Sequence, residues 1–102
     1  MRCDQYLIAL DCENIGYIRI QRLDEITYRL SQMFILPKFQ NKGYAQLAIQ
    51  YAEILYPEAE KWVLDTIKQE TKLCHLYEKM GYKLTGIEHN IKSGMDLVDY
   101  AK

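Results

Sequence analysis

The first third of the chain alternates between apolar and polar positions at the short period of extended structure. Tyr6 to Leu10 is a compact apolar run closed by the polar cluster Asp11-Cys12-Glu13-Asn14. Ile15 to Ile20 then interleaves Ile15, Tyr17 and the pair Ile18/Ile20 with small or charged residues. Two such runs around a polar break predict a hairpin. Asp24-Glu25 makes a second break before Ile26 to Leu36, where Thr27, Tyr28, Met33, Phe34 and Ile35 favour one long strand, and Pro37 stops it.

From Tyr44 the period lengthens. Leu47, Ala48, Tyr51, Ala52 and Leu55 recur at helical spacing until Pro57, predicting an amphipathic helix. Trp62 to Ile67 is again β-prone. Leu73, Leu76, Tyr77 and Met80 mark a second helical stripe that ends at Gly81, a residue suited to the left-handed position after a helix. Tyr82 to Ile91 and Met95 to Tyr100 predict a closing hairpin around Lys92-Ser93-Gly94. The order is three strands, helix, strand, helix, two strands, which is an α+β or mixed α/β layout with a hairpin-rich sheet. With 102 residues it is expected to form a single domain, residues 1–102.

Composition narrows the function more than the fold. Thirteen basic against fourteen acidic side chains leave a formal net charge of -1, so no basic footprint for nucleic acid is present. Any phosphate binding must be local. Cys3, Cys12 and Cys74 have neither CxxC nor Cys/His ligand spacing, which argues against a disulfide framework and a structural zinc site and makes a reducing cytoplasm the simplest compartment. No run reaches membrane-spanning length and the N-terminus lacks the apolar stretch of a signal peptide, so no membrane partner and no metal are expected.

The segment from Pro37 to Ala45 joins a strand to a helix. A helix N-terminus offers unpaired N–H groups and a positive dipole end to an anion. Gly43 lets a ligand approach the main chain, and Lys38 and Lys42 add positive charge. The same residues also describe an ordinary strand-to-helix turn with two solvated lysines.

Gln40-Asn41-Lys42-Gly43-Tyr44-Ala45 resembles the Q/R-x-x-G-x-G/A acyl-CoA loop of the GNAT superfamily of N-acetyltransferases, and it follows a strand ending Phe34-Ile35-Leu36-Pro37 as in that family. Leu76-Tyr77-Glu78-Lys79-Met80-Gly81-Tyr82 is similar to the family's LYEKxGF/Y motif. The resemblance runs from the family's second strand to its last. It implies a GNAT-like acyl-CoA N-acyltransferase fold, truncated at its N-terminus, with a mostly antiparallel central sheet of about six strands and two helices. It further implies that the strand ending at Leu36 and the strand Trp62 to Ile67 splay apart to admit the pantetheine arm of acetyl-CoA. Backbone groups of Phe34, Ile35 and Leu36 would pair with that arm, and Gln40, Asn41, Lys42, Gly43, Tyr44 and Ala45 would cradle the pyrophosphate.

The resemblance also assigns Tyr77 the role of general acid for the leaving thiolate. The chemistry suits a phenol, whose pKa of about 10 keeps it protonated near neutrality while the thiol it protonates lies at roughly 8.5. The competing reading makes Tyr77 one more core aromatic on the stripe of Leu73 and Met80. Glu13, Glu88, His75 and His89 can accept protons, but none holds a motif position, so no general base is assigned. Asp65, a charge within an apolar strand, either faces solvent or lines the acceptor cleft.

Two departures stand out. Glu70 occupies the position where many relatives carry a cofactor-contacting Asn, seven residues before the tyrosine, and a carboxylate accepts but cannot donate; Gln69 is a candidate substitute. The family's first strand and the helices that wall the acceptor site have no counterpart. The expected function is transfer of an acetyl group from acetyl-CoA to a primary amine of a small molecule or a protein, and the alternative is a catalytically silent acyl-CoA-binding or interaction module. Uncovered apolar residues in Tyr6 to Leu10 and Ile15 to Ile20, and the Gln5 to Leu10 edge, predict a homodimer formed by covering that face, continuing the sheet or exchanging the C-terminal hairpin.

Overall fold

Asp11 and Cys12 both take positive φ, 49° and 67°, as a two-residue hairpin turn of mirror-image type I geometry requires. They join β1 (Arg2–Leu10) to β2 (Glu13–Arg22), and a second turn leads into β3 (Thr27–Ile35). In that turn the Asp24 carboxylate accepts from the Ile26 and Thr27 N–H groups at 2.9 and 2.7 Å, an aspartate closing a turn on its own backbone. These bonds hold its carboxyl below the usual carboxylate range. The strands outrun the apolar runs that announced them, because ladder pairing continues through polar ends as far as Arg2 opposite Arg22.

The computed structural model describes residues 2–102, and the chain divides into two compact units, Met1–Glu60 and Lys61–Lys102. In the first, β1, β2 and β3 form an antiparallel meander with β2 in the middle, followed by a 3-10 turn, Pro37–Phe39, and by α1 (Tyr44–Leu55). The β1–β2 register jumps from Ile8 opposite Gly16 to Ala9 opposite Asn14. Ile15 is the extra residue of this bulge, so it joins Ile18 and Ile20 among the buried side chains despite its odd spacing.

That burial corrects one expectation. Tyr6 and Leu7 are exposed, but Ile15, Ile18 and Ile20 are all covered. Tyr56, directly after α1, explains how: its hydroxyl lies 2.8 Å from that of Tyr6 and donates to Asp4, while its ring sits 4.9 Å from Tyr28. Tyr6 stands opposite Ile18, and Asp4 opposite Ile20, so α1 leads into the same sheet face that carries these isoleucines. Within α1 the sequence stripe also divides. Ile49 and Ala52 are the buried residues, whereas Leu47, Tyr51 and Leu55 face outward.

The second unit comprises β4 (Lys61–Ile67), α2 (Thr71–Lys79), β5 (Lys83–Lys92) and β6 (Met95–Ala101). β6 lies between β4 and β5, antiparallel to both. Trp62, Leu64 and Thr66 alternate into the buried side of β4, and Val98 and Tyr100 do so from β6. α2 stops at Gly81, whose φ is 98°; the Tyr82 N–H bonds to the Tyr77 carbonyl and the Gly81 N–H to the Glu78 carbonyl, the paired closure of a Schellman motif. Among the described residues the two units supply six strands and two α-helices in the predicted order.

Candidate functional site

β3 delivers Phe34, Ile35 and Leu36 to the entrance of the loop. The Leu36 N–H donates to the Ile15 carbonyl at 2.8 Å. Because successive residues of a strand turn their peptide groups to opposite sides, Phe34 points its N–H and carbonyl at β2 and Leu36 its N–H, the Leu36 carbonyl accepting instead from the Phe39 N–H at 2.8 Å, and Met33 and Ile35 point theirs away. Of the three residues expected to pair with a pantetheine arm, Ile35 alone has its peptide groups uncommitted to β2, and Met33 joins it. Gly16 makes this junction tight: a Cβ there would stand 2.4 Å from the Phe34 carbonyl oxygen.

Gln40 has a role that its motif position does not announce. Its side-chain amide donates to the Ile35 carbonyl at 2.8 Å, tying the loop back to the strand that feeds it. Asn41 and Gly43 take φ of 65° and 83°, and Gly43 is the N-cap residue of α1 with no side chain capping the helix. The first-turn N–H groups therefore have no side-chain partner, and the position a Gly43 Cβ would occupy is open, with nothing within 4 Å. Tyr44 and Ala45 form the first turn of α1. Lys42 is exposed, and Lys38 lies 5.7 Å from the ring centre of Phe39. A positive dipole end with bare N–H groups is a surface that can accept an anion.

Beside this strand an open, mostly apolar cleft of about 390 Å³ is lined by Leu7, Asn14, Gly16, Tyr17, Phe34 and Leu36. Leu7 stands opposite Tyr17, and Tyr17 opposite Phe34, so the three form one row across the meander. The Tyr17 and Phe34 rings are 5.7 Å apart.

In the second unit Tyr77 is only 7% exposed. Its ring packs against Tyr82 and Tyr100, each at 6.2 Å. Burial, and then the neighbouring Cys74, push its pKa above that of a free phenol. Tyr100 is also raised, by burial and by its 2.7 Å bond to Glu78. Gln69 is not available to replace the missing Asn: its amide donates to the Asp96 carboxylate at 2.9 Å and accepts the Asp96 N–H at 3.0 Å. Asn90 donates to the same carboxylate at 2.8 Å; these two side-chain bonds lower the Asp96 pKa. Glu70 is exposed at the start of α2.

The base candidates lie on the surface. Glu13, His75, His89 and Glu88 are all exposed, and Glu88 pairs with Lys68 at 3.3 Å. Asp65 is half-buried opposite Asp99, on the face of β4 away from Trp62, Leu64 and Thr66. Cys3, Cys12 and Cys74 are free thiols. Among the described residues no group of His, Cys, Asp or Glu is placed to hold a metal, and no helix is long and apolar enough to cross a membrane.

The chain belongs to the GNAT family: residues 2–84 match its acetyltransferase (GNAT) domain. No curated protein matches significantly. Among solved structures, a GNAT family acetyltransferase from Elizabethkingia anophelis with acetyl-CoA bound superposes with a TM-score of 0.84 at 19% identity, over 97% of this chain and 74% of that one. Mutant forms of the spermidine/spermine N-acetyltransferase SpeG from Vibrio cholerae give 0.82 at 22%, over 98% and 66%. An acetyl transferase from Salmonella typhimurium that modifies the N-terminal serine of a 50S ribosomal subunit protein gives 0.83 at 16%, over 98% and 63%. The chain thus shares their fold while spanning 63% to 74% of their lengths.

Proposed function

We propose that the chain acts as one GNAT-type domain that transfers the acetyl group of acetyl-CoA to a primary amine. The observation that carries this reading is the Gln40–Ala45 loop in a chain of this family: a left-handed Gly43 opens α1 with its N–H groups uncapped by any side chain and no Cβ over them. Gln40 keeps the loop in register with β3 by donating to the Ile35 carbonyl, and the Ile35 N–H and the peptide groups of Met33 offer an extended acyl-CoA arm the pairing of an added strand.

In the reaction the amine nitrogen attacks the thioester carbonyl carbon, a C–N bond forms and the C–S bond breaks with its electron pair on sulfur. Tyr77 gives its phenolic proton to that thiolate, and the proton released from nitrogen returns to the tyrosinate through solvent. The raised pKa of Tyr77 keeps it protonated across the neutral range. An amine held against Leu7, Tyr17, Phe34 and Leu36 loses hydration, which favours its neutral, nucleophilic form without a dedicated base. The solved relatives act on a polyamine and on a protein N-terminus, and both are primary amines of the class proposed.

The burial of Tyr77 between two other rings supports a second reading, in which it is a core aromatic and the chain is a silent acyl-CoA-binding module. One experiment separates the two: thiol release from acetyl-CoA against a panel of small amines and peptides, with acetyl-CoA binding followed in parallel by calorimetry. Binding with turnover is expected. Binding without turnover on any acceptor selects the silent module, and absence of binding removes both.

A further inference from the structure

The open face of the meander changes character over a single step along its strands. Leu7, Tyr17 and Phe34 form the apolar row of the cleft, and none of the residues lining that cleft is charged. Side chains two positions apart on a strand share a face, so the next row on this side is Gln5, Arg19 and Gln32. It lies about 7 Å from the first, the rise of two strand residues. Arg19 is half-buried and anchored: its Nε donates to the Ser31 hydroxyl at 2.9 Å, and that hydroxyl donates to the Arg19 carbonyl at 3.3 Å. Among the described residues no carboxylate pairs with its guanidinium. Asp4, the one acid of β1, stands opposite Ile20 on the other face, where it accepts from Tyr56.

We infer that the acceptor is a primary amine joined through an apolar chain to a carboxylate, with the cleft holding the chain and Arg19 reading the carboxylate. The inference rests on the acetyl-transfer reading above and narrows its acceptor class. A chain lying over Leu7, Tyr17 and Phe34 gains by leaving water, whereas a second ammonium on it would lose hydration against side chains that offer no counter-charge. At the next row that ammonium would meet the like charge of Arg19, and a carboxylate in its place meets an opposite one. With Nε taken by Ser31, the terminal nitrogens of the guanidinium remain as a planar pair of donors, the geometry that suits a carboxylate. A straight chain of about six atoms bridges the two rows. A polyamine is turned away by the same features.

Three acceptors of matched length test this: hexylamine, 6-aminohexanoate and 1,6-diaminohexane, compared by kcat/KM from thiol release at one pH. The wild type is expected to prefer 6-aminohexanoate to 1,6-diaminohexane by about tenfold or more, the order expected when the sign of a half-exposed charge pair is reversed, with hexylamine between them. Arg19→Gln is expected to bring 6-aminohexanoate down to the level of hexylamine, and Arg19→Glu to place the diamine above 6-aminohexanoate, each with wild-type far-ultraviolet circular dichroism. A wild type that ranks the diamine first, or that does not discriminate, overturns the inference, as does an Arg19→Gln protein that keeps the full preference. If other amines are acetylated and none of these three is, the inference falls alone; if no amine is acetylated, the reading on which it rests falls with it.

Discussion

At the scale of single residues, Gly43 and Tyr77 bear most directly on the proposed chemistry. The φ of 83° at Gly43 is costly for any other residue, and its missing side chain leaves the N-terminus of α1 bare. Gly43→Glu therefore brings a strained backbone and a carboxylate to the place where a pyrophosphate would sit, and is expected to abolish acetyl-CoA binding by calorimetry. A folded variant with wild-type affinity would sink the phosphate-loop assignment. Tyr77→Phe keeps the ring that packs on Tyr82 and Tyr100 and removes the proton. Turnover is expected to fall about 100-fold or more with acetyl-CoA affinity unchanged, and equal turnover would return Tyr77 to the core. These two positions were legible in the sequence because short motifs carry them. The Gln40 bond to Ile35 was not, since it depends on how the loop folds back; nor was the engagement of Gln69 with Asp96, which lies 27 positions away. The choice of Met33 and Ile35 over Phe34 and Leu36 follows from strand alternation once the β2–β3 pairing is known, and the sequence does not state that pairing.

At the scale of elements, strand and helix period predicted the six strands and two α-helices of the described residues, but not the 3-10 turn Pro37–Phe39 nor which side of each element is covered. The α1 stripe misled because two apolar faces share one helix, and the periodicity of Leu47, Tyr51 and Leu55 is the same whether they face a core or stand exposed. In β2 the bulge at Ile15 breaks the alternation that would have assigned its direction. Gly16, beside that bulge, shows how closely β2 and β3 are matched. An added Cβ would meet the Phe34 carbonyl oxygen at 2.4 Å and Ile35 Cδ1 at 3.0 Å, and a carbonyl inside a ladder cannot retreat without opening it. Gly16→Ala is expected to destabilise the protein by about 1–3 kcal/mol in urea unfolding and to weaken acetyl-CoA binding, because the residues displaced are Phe34 and Ile35. A loss below roughly 0.5 kcal/mol, the range of an inconsequential surface change, would show that the junction has slack.

At the scale of the whole molecule, buried phenols make the protein sensitive to alkali. Tyr28 and Tyr56 in the first unit and Tyr77 and Tyr100 in the second are buried, and each has its pKa raised above that of a free phenol. For Tyr28 the leading cause is its hydrogen bond to Glu58; for Tyr56, Tyr77 and Tyr100 it is burial. In an unfolded chain all four would ionise near pH 10. Below that pH both states hold the phenolic protons and the stabilisation is complete. Above it the unfolded chain releases protons that the folded one retains, so stability falls as pH rises towards the folded-state values. The carboxylates work in the opposite sense: Asp24, Glu58 and Asp96 have lowered pKa values, so their contribution is present above about pH 4 and fades as the pH drops below it. Urea unfolding midpoints are thus expected to lie on a plateau between about pH 5 and 9 and to decline on both sides. Because raised phenols are present in each unit, the alkaline decline should accompany loss of secondary structure in both. Tyrosinate absorbance should then rise together with the loss of circular dichroism, above pH 10. If these four phenols ionised near pH 10 in a protein that kept its full circular dichroism, burial and hydrogen bonding would not be protecting them and the alkaline decline would need another cause, while Tyr77 would still hold its proton at neutral pH as an ordinary phenol does.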